Sequence, residues 1–505
     1  MTALQPPLSP EAVRYALREL ARRAGVRGSQ PDGDGFESIG LRVLYGPAGR
    51  ADGDAPMLVI EPCREGDWRR VVALAPRTLD SVSLENALPP GARRKFGESV
   101  PILFRGVGRE GSGGFAEIRG RVLVFHCDLV ASTLFLLSRW EEAAGAARDE
   151  HDRFPHTESV AFRQGFLDRP LIDEYALILR EWIRVLLPSW APTTGSFRIQ
   201  LSHDIDVVRP FGTLGSAVRT IVTDLVKRRD PAHSAWSAEQ ACTQMLAPDR
   251  TDFFRGIRQL AEISKRHHMR SAFYVMAADS GPYDSGYDPR HPQVRACIRE
   301  LRAEGFEIGF HPSYRTLGDP ELMAVEKGRV EEAVGAVCQG GRQHYLRFRV
   351  PETWRQWERL GLTYDSTMTF AGHEGFRCGT SHAYRPFDLE QNRELEIWER
   401  PLIVMDGTLR QYRGLTPEQA IDRVRELARR CQAVEGTFTL LWHNSSLAGE
   451  WVGWGQAYER MIDELLLLTR AEADDGASEP SPEAGVTAGS FLGVGMISKE
   501  RQIGR

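Results

Sequence analysis

No stretch of this sequence stays apolar for the ~20 residues that a membrane-spanning helix requires. Its first residues, from Met1 to Val26, lack an uninterrupted apolar segment with a small-residue cleavage site, so no secretory signal is read there and a cytoplasmic protein is expected. An excess of one charge sign is missing too: the net charge is -5 over 505 residues, and no general attraction of the whole chain to nucleic acid follows. The seven cysteines (Cys63, Cys127, Cys242, Cys297, Cys338, Cys378 and Cys431) are odd in number, scattered, and form no CxxC pair. That argues against a disulfide framework and a cysteine zinc site, and leaves free thiols as the expectation. No internal repeat is visible.

The chain is long enough for two or three separate cores, and its composition is that of an ordinary soluble protein. Up to Val26 the apolar positions Val13, Leu17, Leu20 and Ala21 share one helical face, with Arg14, Arg18 and Arg22 beside it. Short apolar runs between Leu41 and Val100, broken by Gly, Pro and Asp, predict strands and turns. A strand over Val122 to His126 passes into an amphipathic helix, and another helix is expected over Ile172 to Leu187. These segments predict a smaller α+β domain over 1–190, ending at a Pro-, Thr- and Gly-containing linker near 188–196.

From Phe197 onward, seven strand-like runs alternate with helical segments: FRIQLSH, SAFYVM, FEIGFH, YLRFRV, LTYDS, PLIVMD and FTLLWH. This is the pattern of βα units around a parallel sheet, over 197–470, with reactive groups expected at the carboxyl ends of the strands. The last stretch, 472–505, is rich in Ala, Gly, Ser, Pro and acid, and is expected to be a disordered tail.

Ionisable residues do stand at those ends. The first strand finishes in His203-Asp204-Ile205-Asp206, and in extended chain the two aspartates point to one side. Two carboxylates facing one cavity repel unless a cation or a proton lies between them, so the pair suits a divalent metal with a neighbouring base. The plainer reading is a solvated Asp-x-Asp turn. His311 follows the third strand at a Pro-containing turn, where an imidazole suits zinc-like metals, although a lone histidine there is more often structural. His443 leaves the last strand, well placed as a proton donor. Near the fourth strand lie His344, Arg347 and Arg349, where an arginine can hold a carboxylate ionised and a surface salt bridge is the plainer reading. Asp406, ending PLIVMD, is a candidate partner for His443. The aromatic residues near strand ends, Tyr314, Tyr345, Trp354, Trp442 and Trp451, are candidates for stacking on sugar faces, Tyr314 first, with core packing as the alternative.

The order SHDID, SAFYVM, HPSYRT, RFRVPETW, LLWH resembles the polysaccharide deacetylases, the carbohydrate esterases that share the NodB homology domain, over about 270 residues. The resemblance implies an α/β fold, a distorted (β/α) barrel of the NodB type preceded by the smaller α+β domain, and metal-dependent removal of acetyl groups from N- or O-acetylated sugars. Carried over residue by residue, Asp204 corresponds to the general base, Arg347 to the residue steadying it, Asp206 and His311 to metal ligands, and His443 to the general acid. One divalent ion is implied, zinc first, with cobalt, nickel or manganese as alternatives. The family's second histidine, four residues after His311, is replaced by Arg315, and His203 is a candidate for the missing ligand. The His-Asp-x-Asp and His-Pro-Ser-Tyr pieces are similar to a subgroup from bacterial surface-polysaccharide (O-antigen, capsule) clusters. That likeness implies a free, nucleotide-linked or lipid-linked acetylated saccharide as substrate. Two other readings stay open: an amidohydrolase on a non-sugar C–N bond, and a non-catalytic carbohydrate-binding or scaffolding protein.

Overall fold

The computed structural model describes residues 8–27, 33, 35–48, 55–92, 96–107 and 114–477, the last seven by backbone only. Its centre is an eight-stranded parallel sheet. From edge to edge run Trp398–Glu399, Tyr364–Asp365, Gly340–Gly341, Glu307–Phe310, Ser271–Val275, Arg198–Ile205, Thr437–Leu441 and Val404–Met405. Every neighbouring pair in it is parallel. The two edge strands are consecutive in the chain, separated only by residues 400–403. At ~3.5 Å per residue, so short a link cannot cross a flat sheet of this width, and the sheet curls into a half-barrel.

Helices cover its outer face, and their starts are written in the sequence. Asp230, Asp319 and Thr416 each accept a hydrogen bond from a backbone N–H of the first turn, and each is followed by proline at the first helical position. Such a cap contributes ~1 kcal/mol, and proline there forfeits no hydrogen bond. Between the first strand and the helix Asp252–Arg266 the chain forms a helical hairpin, Leu214–Thr223 with its continuation to Arg228, and Pro231–Leu246. The last helix runs from Trp454 to Ala477, so helix occupies the start of the segment expected as a tail. The rest of that segment, 478–505, lies outside the described residues. All seven cysteines are free.

One expectation changes. YLRFRV is not a strand: the fourth strand is Gly340–Gly341, directly upstream, and His344–Leu346 is a short 3-10 turn. A Cβ at Gly341 would collide with the Phe310 carbonyl, and one at Gly340 with the Tyr364 ring. The strand is therefore built of the residue that apolar-run reading ignores. The N-terminal part has a four-stranded sheet of its own (Arg42–Tyr45, Met57–Ile60, Val122–Phe125, Ala116–Arg119), with a small apolar cluster of Met57, Val59 and Val124 on one face. One continuous hydrophobic core joins Tyr15, Leu134 and Ile178 to Phe376, Tyr384 and Phe387. Among the described residues no helix is long and apolar enough to cross a membrane.

Candidate active site

The first strand is buried from Leu201 to Ile205. Its alternation sends Ser202, Asp204 and then Asp206 to the inside of the half-barrel and His203 to the other face. His203 is fully buried there: its ring packs on Phe273 and Tyr458, and its Nδ1 lies 2.9 Å from the Trp442 carbonyl. It therefore stands apart from the other candidate ligands.

Three side chains converge on the inner side. Ligand atoms of Asp206, His311 and His344 lie within 4.8 Å of one another. Asp206 Oδ1 is 3.0 Å from His311 Nε2, and both atoms are buried without a hydrogen-bond partner. Asp206 Oδ2 is 3.7 Å from His344 Nε2. Each imidazole is fixed from behind: His311 Nδ1 lies 2.7 Å from the Arg342 carbonyl, and His344 Nδ1 2.9 Å from Asp284 Oδ1. A carbonyl or carboxylate on Nδ1 places the proton there and turns the Nε2 lone pair to the centre, which is how metal-ligating histidines are oriented. Two orphaned atoms, Asp206 Oδ1 and His311 Nε2, with the His344 imidazole facing the same point, fit a divalent ion of the zinc type with open positions left over.

His344 was not assigned as a ligand from sequence. The turn that carries it was read as a strand, although its place beside His311 on the next strand's exit was the available signal. Arg315 points outward, its side chain 57% exposed near Asp279.

Asp204 sits beside the three, 3% exposed, with Oδ2 3.9 Å from His311 Nε2 and 4.0 Å from His443 Nε2. Its Oδ1 accepts from Arg342 Nη1 at 2.7 Å. The same guanidinium donates to Ser202 Oγ and the Ser366 carbonyl and lies over the Tyr274 ring, wholly buried across the half-barrel. The arginine on Asp204 is thus Arg342, not Arg347. Because the strand ends at Gly341, Arg342 is its first residue outward, and Arg347 falls on the rim. There Arg347 donates to the carbonyls of His151 and Tyr314.

On the far side, His443 Nδ1 meets Asp406 Oδ1 at 2.6 Å, and the His443 backbone N–H donates to Asp406 Oδ2 at 2.8 Å. Asp406 is fully buried. Burial disfavours a charged imidazole, but the carboxylates of Asp406 and Asp206 outweigh it and push the His443 pKa up to about 10. Burial likewise opposes ionisation of Asp206, and the imidazoles of His344 and His443 reverse that, holding its carboxyl well below the usual range.

These groups line a cleft of about 430 Å³, a volume suited to a small ligand, together with Tyr345, Tyr412, Trp451, and His151 and Arg153 from the N-terminal part. Of the five aromatic candidates for stacking, Tyr345 and Trp451 line it, and Tyr314, Trp354 and Trp442 do not. Trp442 is fully buried and stacks on Tyr458 at 4.7 Å. Tyr314 has one ring face on Tyr283 at 4.3 Å and the Arg347 guanidinium 3.9 Å from its centroid. A larger hollow at the amino ends of the strands, lined by Arg198, Arg270 and Glu307, contains none of this chemistry.

Fold and site together define an α/β half-barrel protein with an aspartate–histidine cluster at the carboxyl mouth of its strands. Residues 82–188 match a family model described only as a family of unknown function, DUF7033. No curated protein matches the chain. Among solved structures, one from Mycobacterium smegmatis carrying the name "putative polysaccharide deacetylase" is 16% identical, with a TM-score of 0.35 over 60% of this chain and 97% of that one. Another is a mutant of a CE4 family pseudoenzyme with restored enzymatic activity, 10% identical, with a TM-score of 0.28 over 54% of this chain and 62% of that one.

Proposed function

We propose that this chain is a divalent-metal-dependent hydrolase that removes acetyl groups from an N- or O-acetylated sugar. The observation that carries the catalytic reading is the meeting of Asp206, His311 and His344 at one point, flanked by an Arg342-held carboxylate and an Asp406-held imidazole. The sugar comes from the motif order, supported by a cleft rimmed with Tyr345, Tyr412 and Trp451. Within that class we favour an acetylated saccharide of bacterial surface-polysaccharide metabolism, free, nucleotide-linked or lipid-linked, met in the cytoplasm.

Asp206, His311 and His344 would hold the ion, zinc first. When bound, such an ion polarises an acyl carbonyl and makes hydroxide available near neutral pH. Asp204, oriented by the Arg342 guanidinium on its Oδ1, accepts the proton of the attacking water through Oδ2. His443 has its Nδ1 on Asp406, presents Nε2–H to the cleft, and protonates the nitrogen or oxygen that leaves as the tetrahedral intermediate collapses. The non-catalytic reading arose from Arg315 standing where a second histidine belongs; His344 offers a third ligand atom, which removes that ground.

The test is acetate release from acetylated nucleotide sugars and oligosaccharides against small amides, alongside metal analysis. About one equivalent of bound metal and a ~100- to 10,000-fold loss in His443→Ala are expected. Metal-loaded protein inert on every saccharide, or a fully active His443→Ala, would overturn the proposal.

A further inference from the structure

Hydrophobic side chains left in water gather at one place in this molecule. Sixteen large hydrophobic residues are exposed among the described residues, and five of them, Leu214, Val218, Val222, Leu225 and Val226, fall within thirteen consecutive positions of the helical hairpin. They are 52 to 66% exposed. Their spacing of four, four, three and one places them along one side of the helix, while Ala217 and Asp224 are the buried contacts to the rest of the hairpin. A soluble protein does not normally leave so long an aliphatic stripe uncovered.

The charge around the stripe says what it meets. Between Arg209 and Asp230 the chain carries five basic side chains (Arg209, Arg219, Lys227, Arg228 and Arg229) and two acidic ones (Asp224 and Asp230), against a net charge of -5 for the whole. Asp224 is buried, with its carboxylate on Ser237 and Arg228. Arg219, Lys227, Arg228 and Arg229 are exposed. An aliphatic stripe with basic flanks is the pattern of a helix that lies in the headgroup layer of an anionic bilayer.

The hairpin is held firmly to the body. Trp236 Nε1 donates to Asp252 at 2.7 Å, Gly449 packs on the Trp236 ring, and Arg228 lies 3.5 Å from Glu450. The turn that grips it, Gly449–Trp451, supplies Trp451 to the cleft and is followed by Val452, itself 86% exposed. The hairpin therefore neighbours the turn that supplies Trp451 to the cleft.

We infer that the Leu214–Arg229 face docks this protein reversibly on an anionic lipid surface. The inference uses no residue of the metal cluster, so it stands or falls apart from the proposed reaction.

The experiment is sedimentation of the full chain with vesicles of phosphatidylcholine alone and with about 30 mol% phosphatidylglycerol, at low and high salt. Binding to the anionic vesicles, weakened by salt, is expected. The charge reversals Lys227→Glu and Arg229→Glu together should lower the partition coefficient about tenfold or more. The triple variant Val218→Ser, Val222→Ser, Leu225→Ser should abolish binding while keeping the parent's melting temperature, because all three side chains face solvent. Light scattering on the same proteins completes the test. No vesicle binding at either composition overturns the inference, as does concentration-dependent dimerisation that the triple variant removes, for the face would then be an interface between copies.

Discussion

At the scale of single residues, two arginines five positions apart separate a role inside the site from one on its rim. Arg342 is wholly buried with its guanidinium on Asp204, so Arg342→Met takes away the hydrogen bond and the positive charge that hold the proposed base in place. A kcat loss of ~100-fold or more is expected. Arg347 ties the His151 and Tyr314 carbonyls together at the mouth, so Arg347→Met should loosen the rim and raise KM with a much smaller change in kcat. Steady-state kinetics of the two variants decide the matter, and equal kcat losses would refute the distinction. His203 provides a second residue-scale test, in pH. Burial holds its pKa down at about 4, against about 6.5 in the unfolded chain. Between those values the unfolded state takes up a proton that the fold refuses, so the stability from neutral His203 is complete above pH 6.5 and falls as pH drops toward 4. The loss is on the order of 3 kcal/mol. His203→Gln should flatten the acid arm of a urea-denaturation profile by that amount.

Strands and turns explain why part of the site could be read from sequence and part could not. Asp204 and Asp206 were legible because alternation along an apolar strand fixes which side chains share a face. His311 and His443 were legible because each follows an apolar run at its carboxyl end. Arg342 and His344 escaped because the strand before them is Gly340–Gly341, two residues without side chains, where close neighbours replace hydrophobicity as the determinant. The apolar run YLRFRV drew the strand five residues too far along, and with it the arginine assigned to Asp204. The edge strand Trp398–Glu399 was missed for a related reason, since two residues give no period to read. Gly341→Ala would push a methyl group into the Phe310 carbonyl and shift Arg342, the next residue. A stability loss of about 1–3 kcal/mol by urea denaturation should accompany a fall in kcat, whereas Gly328→Ala, in the helix Pro320–Val334 with open space around it, should spare kcat.

Across the whole molecule, the sequence suggested a cut near 188–196, because the composition there is that of a linker. Packing does not follow the cut. The Asp173 carboxylate in the helix Leu171–Leu186 receives Arg23, the Thr380 hydroxyl and the Ser381 backbone N–H, all at 2.7 to 2.9 Å. The Tyr15 hydroxyl donates to the Arg385 carbonyl at 2.7 Å. Most telling is Glu142, almost fully buried, whose carboxylate is shared between Arg139 of the N-terminal part and Arg377 of the half-barrel. Composition cannot reveal such a joint, because each partner alone reads as a surface charge. Glu142→Gln leaves two buried guanidiniums with one counter-charge fewer, a change that typically costs 3–5 kcal/mol. If the two parts share one core, that loss lowers the midpoint of a single unfolding transition seen alike by far-UV circular dichroism and tryptophan fluorescence. It also follows that a fragment 197–477, with Phe376, Tyr384 and Phe387 stripped of their N-terminal cover, aggregates instead of folding. Two separate transitions, with only the first displaced by Glu142→Gln, would show the N-terminal part to be an independent unit after all, joined to the half-barrel by contact alone.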